Sequence, residues 1–151
     1  MELFSISSSS KGNCILLDNK ETTLMIDVGI SRKRVVQGFE HFDKNPEDLD
    51  GILITHEHSD HIKGLGVFLR KYHIPVYATE DTIDYILNKS SIGEVDKELF
   101  FPIENVCPKT PNIVVFIVPL CPTIAVSFVP RSKSIFSIAL NLSMCTLFII
   151  I

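Results

Sequence analysis

Over the first hundred residues, apolar positions fall in short runs separated by polar turns, and the runs change period along the chain. "ELFSIS" (2–7), "CILLD" (14–18) and "TTLMID" (22–27) predict three strands, the last two joined by "NKE", a link of hairpin length. "SSSSKGN" (7–13) is a loop by composition. "VGISRKRVVQGFEHF" (28–42) predicts a helix after a turn at Gly29, with Ser31 in the N-cap position. "NPEDLD" (45–50) is a turn, and "GILIT" (51–55) is an apolar run of the kind found in a strand buried on both faces. "IKGLGVFLRKY" (62–72) predicts a helix, weakened by two glycines at about 1 kcal/mol each relative to alanine. "PVYA" (75–78) is a strand. "TEDTIDYILNKS" (79–90) is a helix capped by Thr79, with Thr82, Ile83, Ile86 and Leu87 on one face. A strand-rich start followed by βα alternation predicts an α/β or α+β domain.

After about residue 105 this pattern dissolves. "PNIVVFIVPLCPTIAVSFVP" holds Pro119, Pro122 and Pro130 among apolar runs, where neither a helix nor a central strand welcomes them. "SIFSIALNLSMCTLFIII" (134–151) is uncharged and at the lower length limit for a membrane span. Charge breaks at the same place. Of the chain's 151 residues, the first 104 hold all 18 Asp and Glu and 11 of the 14 Lys and Arg, a net of −7, and the remainder carries +3. Six of the eight prolines lie between Pro102 and Pro130. Two kinds of sequence meet near residue 105, and the expected domains are 1–104 and a Pro/Ile-rich apolar tail, 105–151.

The overall charge of −4 makes no electrostatic case for nucleic acid or anionic membrane through bulk charge. "MELFSISSSS" has neither a basic nor an apolar leader region, so no signal peptide is read. Cys14, Cys107, Cys121 and Cys145 form no CxxC; reduced thiols and a cytoplasmic location are expected.

The chemistry concentrates in "THEHSDH", residues 55–61, which holds three of the chain's five histidines. Neutral imidazole and carboxylate are good ligands for zinc and similar ions. His56 and His58, two apart in extended backbone, point to the same side and can close on one ion. Asp60 and His61 follow where the chain would turn into a helix, and can face a second ion. Glu57 and Ser59 fall on the other side and read as spacers. The position four after His56 is Asp60, so a helical HExxH site is excluded. Ligands at the end of a buried strand sit where α/β proteins usually place their sites, and Gly64 and Gly66 allow close packing beside them. An exposed polar loop is the plainer alternative. On pattern alone, Asp27 is either a strand-end turn residue or a functional one, and Asn13 reads as a turn residue. Lys11 is a solvated lysine or a phosphate contact. His41 and His73 read as surface residues. Cys14, opening a strand, reads as buried and inert.

"THEHSDH" fits the H-x-H-x-D-H signature, and the chain thereby resembles the metallo-β-lactamase superfamily. "SSSSKGNC", "LMIDVGIS" and "LDGILITHEHSDHIKGLGVFLRKYHIPVYAT" extend the resemblance, over about residues 1–104, to its WalJ-like branch of small bacterial hydrolases; Ser10 and Lys11 depart from that branch's usual opening. The resemblance implies an αββα sandwich with two metal ions, zinc or manganese, and hydrolysis of a phosphodiester or nucleic-acid substrate. It places His56 and His58 at the first ion and Asp60, also the catalytic residue, with His61 at the second. It gives Asp27 and Asn13 supporting roles around the ligands.

The family's site also calls for a further histidine at the first ion, a bridging aspartate and a late histidine, yet no His, Asp or Glu follows Glu104. Residues 1–104 are therefore expected to be the first half of the sandwich, and 105–151 a frame-shifted or otherwise aberrant end. The chain as written is then a truncated enzyme of weak or no activity. The competing expectation is a non-catalytic metal-binding fragment, or one touching a membrane through 134–151.

Overall fold

The structure, a computed structural model, describes residues 2–103 and the backbone of 115–119, 137–141 and 146–150. The chain divides into two compact units, Met1–Pro102 and Ile103–Ile151.

The first unit is a six-stranded sheet in the order β1-β2-β3-β4-β5-β6. β1 (Glu2–Ser7), β2 (Cys14–Asp18) and β3 (Thr23–Ile26) form an antiparallel meander. β4 (Gly51–Leu53), β5 (Val76–Ala78) and β6 (Phe100–Pro102) continue from β3 in parallel. Each parallel step is bridged by helix: α1 (Arg32–His41), then α2 (Ser59–Ile62) with α3 (Leu65–Tyr72), then α4 (Glu80–Asn88). The expected α/β architecture is thus present as a mixed sheet with helices, and β6 is an element the sequence reading lacked.

Strand alternation sorts the core. One register row, Phe4–Leu16–Met25–Ile52–Val76–Phe100, crosses all six strands. It packs in one cluster with Val35 and Phe39 of α1, Leu65, Phe68 and Leu69 of α3, and Ile86 of α4, so the helices share one face. Phe39 and Phe68 are fully buried, each contributing about 1.5–3 kcal/mol of transfer free energy. On the opposite face, Leu17, Leu24, Ile26 and Leu53 are also buried. Apolar burial on both faces explains why "GILI" is a continuous apolar run and not an alternating one.

The helix expected over 62–72 is present as α3 and begins at Leu65, and the short α2 precedes it. The chain turns at Gly64, whose N–H donates to Val28 O (2.9 Å) and whose Cα stands so close to Ile30 that a Cβ would lie 1.9 Å from its carbonyl oxygen. Thr79 caps α4 as expected, its side chain accepting from Thr82 N. Ser31 is the N-cap of α1, but its side chain makes no capping bond.

In the second unit, β7 (Val115–Pro119), β8 (Ser137–Asn141) and β9 (Thr146–Ile150) form an antiparallel sheet in the order β7-β9-β8. The sequence reading expected no second sheet. β7 is an edge strand ending at Pro119, a position where a missing N–H is tolerated. The expected span over 134–151 falls on β8, β9 and residues outside the description. Among the described residues no helix is long and apolar enough to cross a membrane.

Candidate metal centre

β3 and β4 are parallel neighbours, so the segments leaving their C-terminal ends emerge side by side. One begins with Asp27 and the other carries Thr55 to His61. The "SSSSKGN" loop joins them through backbone bonds. Asn13 N donates to Asp60 O (2.8 Å), Gly29 N to Asn13 O (2.8 Å), and Val28 N to His61 O (2.8 Å). Gly29 is required for this approach: a Cβ there would stand 1.6 Å from Asp60 O. Three loops are thus bonded into one rigid rim before any side chain is considered.

Asp27 is held in the left-handed region at φ 60°, a conformation that non-glycine residues rarely adopt and that Asp tolerates better than most. Its backbone N–H donates to Leu53 O (2.8 Å). Its buried carboxylate accepts from Thr55 N (2.9 Å) and from Thr55 Oγ1 (2.8 Å to Oδ2), and Oδ2 lies 2.7 Å from His61 Nδ1. A carboxylate only accepts, so His61 Nδ1 carries a proton and Nε2 is the nitrogen offered to the site. The Thr55 hydroxyl proton likewise goes to Asp27, leaving its oxygen to accept from His56 Nδ1 at 3.0 Å. His56 therefore also presents Nε2. Carboxylate, hydroxyl and two imidazoles form one orienting network.

Two donor pairs result. His56 Nε2 is 3.0 Å from His58 Nδ1. Asp60 Oδ2 is 3.5 Å from His61 Nε2. Two donors bound to one tetrahedral zinc at about 2.0–2.2 Å stand about 3.3–3.5 Å apart; the Asp60–His61 pair has that separation, and the His56–His58 pair stands closer and would have to open slightly to share an ion. Between the second pair, the Asn13 amide donates to both atoms, at 3.2 Å to Asp60 and 3.1 Å to His61. A hydrogen-bond donor already occupies the approach a cation would take. The residues fit divalent metal as two half-sites. Among the described residues, no group of three or more His, Cys, Asp or Glu side chains is arranged to hold an ion.

The electrostatics agree. Partial burial, then the neighbouring His61 and His58, hold His56 below the usual imidazole range and keep it a neutral donor. Burial also works against a charged His61, but the hydrogen bond and charge of Asp27, with Asp60, prevail and raise it. The environment that favours an imidazolium there equally favours a cation. Cys14, fully buried at the start of β2, has its thiol pushed up to about 12 by burial and then by Asp27, so it stays protonated and inert, as expected.

His56, His58, Asp60, His61, Asp27 and Asn13 are thus brought together. His41 and His73 lie on the surface away from them. Lys11 is exposed, and its carbonyl takes the Lys63 ammonium. The sequence reading missed Thr55, counting it as the last residue of a strand; its one signal was a hydroxyl between an apolar run and the first histidine.

Comparison with known proteins places the chain among relatives in sequence and in fold. The chain is 44% identical over 91 residues to exodeoxyribonuclease WalJ of Streptococcus pneumoniae, covering 60% of this chain and 34% of that one. It is 41% identical over 101 residues to exodeoxyribonuclease YycJ of Bacillus anthracis, covering 67% and 38%. The chain thus spans little more than a third of the length of these relatives. Among solved structures, Rm3 metallo-beta-lactamase superposes with a TM-score of 0.59 at 15% identity, covering 80% of this chain and 49% of that one, a likeness of fold alone. Residues 10–131, which hold the rim, both donor pairs and their supports, match the metallo-beta-lactamase superfamily, and the chain belongs to it.

Proposed function

We propose that the chain carries half of the dinuclear centre of a metal-dependent phosphodiesterase that degrades nucleic acid, with zinc or manganese as the ion. The two donor pairs oriented by Asp27 and Thr55 carry this reading, and the exodeoxyribonuclease relatives supply the substrate class. Divalent ions bound there would ionise a water near neutral pH and polarise a phosphorus centre. The chain's own residues do the rest. His56 and His58 present paired nitrogens at one position, and Asp60 and His61 a carboxylate oxygen and a nitrogen at the next. Asp27 fixes the tautomer of His61 and, through Thr55, that of His56. The rim bonds among residues 13, 28, 29, 60 and 61 keep these groups from moving apart. With two donors for each ion within residues 2–103, binding by this chain alone is loose and turnover is weak.

The test is a chimera in which residues 1–104 replace the corresponding part of the Streptococcus pneumoniae relative. With manganese or zinc it should hydrolyse DNA, and Asp60→Ala should abolish hydrolysis while circular dichroism shows the fold intact. A folded, metal-loaded chimera without hydrolysis, or one indifferent to Asp60→Ala, overturns the proposal.

A further inference from the structure

Glu57 and Ser59 alternate with the donors His56, His58 and Asp60, and they do not face the metal centre. They line a pocket of about 210 Å³ on the other side of the same loop, closed by the end of α4 and the turn after it. Its floor is apolar, formed by the buried Ile62 and Ile92. Its wall includes the aromatic ring of Tyr85, 37% exposed. Its rim holds the hydroxyls of Ser59 and Ser91, the exposed Lys89, and the exposed Lys63, whose ammonium donates one hydrogen to the Lys11 carbonyl and keeps two others. Glu57 is the one carboxylate of the lining. Lys89 lies 3.6 Å from Asp84, but both side chains are more than half exposed, so that pair holds the ammonium only weakly.

An apolar floor, an open aromatic ring and two ammonium groups match one nucleotide unit: a base against the ring, the adjoining phosphates on the lysines. The volume is below the ~300–1,000 Å³ of a drug-sized ligand site, and suits a single residue of a strand. We infer that this pocket binds a nucleotide of a single-stranded DNA substrate next to the one at the donor pairs. The inference rests on the nuclease reading above. It explains why the residues between the donors are polar and why a chain of net negative charge carries two lysines here.

Fluorescence anisotropy of the full chain with fluorescein-labelled oligothymidylate in EDTA tests this without metal. Tyr85→Ala should weaken binding about tenfold, and Tyr85→Phe should bind as the parent does. Lys63→Gln with Lys89→Gln should lower the slope of log K against log salt by about 1.4, or about 0.7 for each lost phosphate contact. Unchanged affinity and slope in these variants, with the parent chain still binding, overturns the subsite and leaves the nuclease reading standing. A parent chain that binds no oligothymidylate at any salt concentration overturns both.

Discussion

Thr55 has one hydroxyl and stands against three partners: Asp27, His56 and His61 Nδ1, the last at 3.2 Å. A methyl in its place fills the same volume but neither donates to Asp27 nor accepts from His56. One imidazole then loses the partner that fixes its tautomer, and a buried carboxylate loses a donor. Thr55→Val should lower zinc affinity about 10–100-fold, the usual cost of removing an orienting partner. Thr55→Ser should restore most of it, because the hydroxyl is kept. Competition with a chromophoric chelator reads both values, and equal affinities in Thr55→Val and the parent would show that the network orients nothing.

At the scale of elements, the site depends on connections as much as on strands. β2 and β3 are tied to the turn after α1 by Asp18, whose buried carboxylate accepts from Thr23 Oγ1 at 2.8 Å and from Lys44 Nζ at 2.5 Å. Burial works to raise the Asp18 pKa, but the bonds from Lys44 and Thr23 outweigh it, and the group sits below the ordinary carboxylate range. A carboxylate lowered in the folded state adds stability above its unfolded pKa of about 3.9, and that stability is lost as pH falls through the folded value. Lys44→Met should therefore cost about 1.5–3 kcal/mol at pH 7, the range for a hydrogen bond to a charged group. The gap to the parent should narrow below about pH 4 as Asp18 takes up a proton. Urea unfolding at the two pH values checks this; a gap that is constant with pH would assign the loss to packing of the Lys44 stem.

These same elements show what could be read from the sequence. β1 and β2 and the capped α4 were legible because each is specified locally, by alternation, apolar clustering or an N-cap. The candidate ligands His56, His58, Asp60 and His61 could be picked out together because they are close in sequence, and the structure keeps them side by side. β6 was not: "FFP" is three residues long and follows a turn, and only pairing with β5 makes it a strand. The break at Gly64 was not legible either, since its N–H goes to the carbonyl of Val28, distant in sequence, and not to the preceding turn. Thr55 was missed for the same reason, because its partner Asp27 lies 28 residues away.

At the scale of the whole molecule, the sheet buries apolar side chains on both faces. Ile52 and Leu53 are consecutive in β4 and point to opposite sides, yet both are fully buried, and only Ile52 belongs to the cluster under the helices. In a sheet with one solvated face, Leu53 would lie in water and its truncation would cost little. Here each side chain has left water, so truncation removes its transfer free energy and leaves a cavity. Ile52→Ala and Leu53→Ala should each destabilise the chain by about 2–5 kcal/mol in urea unfolding, with unchanged m-values. The two losses should add in the double variant, because the side chains lie on opposite faces of the strand and only Ile52 belongs to the cluster under the helices. A Leu53→Ala variant within about 0.5 kcal/mol of the parent, beside a costly Ile52→Ala, would show that only the helix-covered face supports the sheet. The metal rim would then stand at the end of strands held from one side only. Comparable losses would show that β4, whose C-terminal end leads into the segment with all four candidate ligands, is supported from both sides.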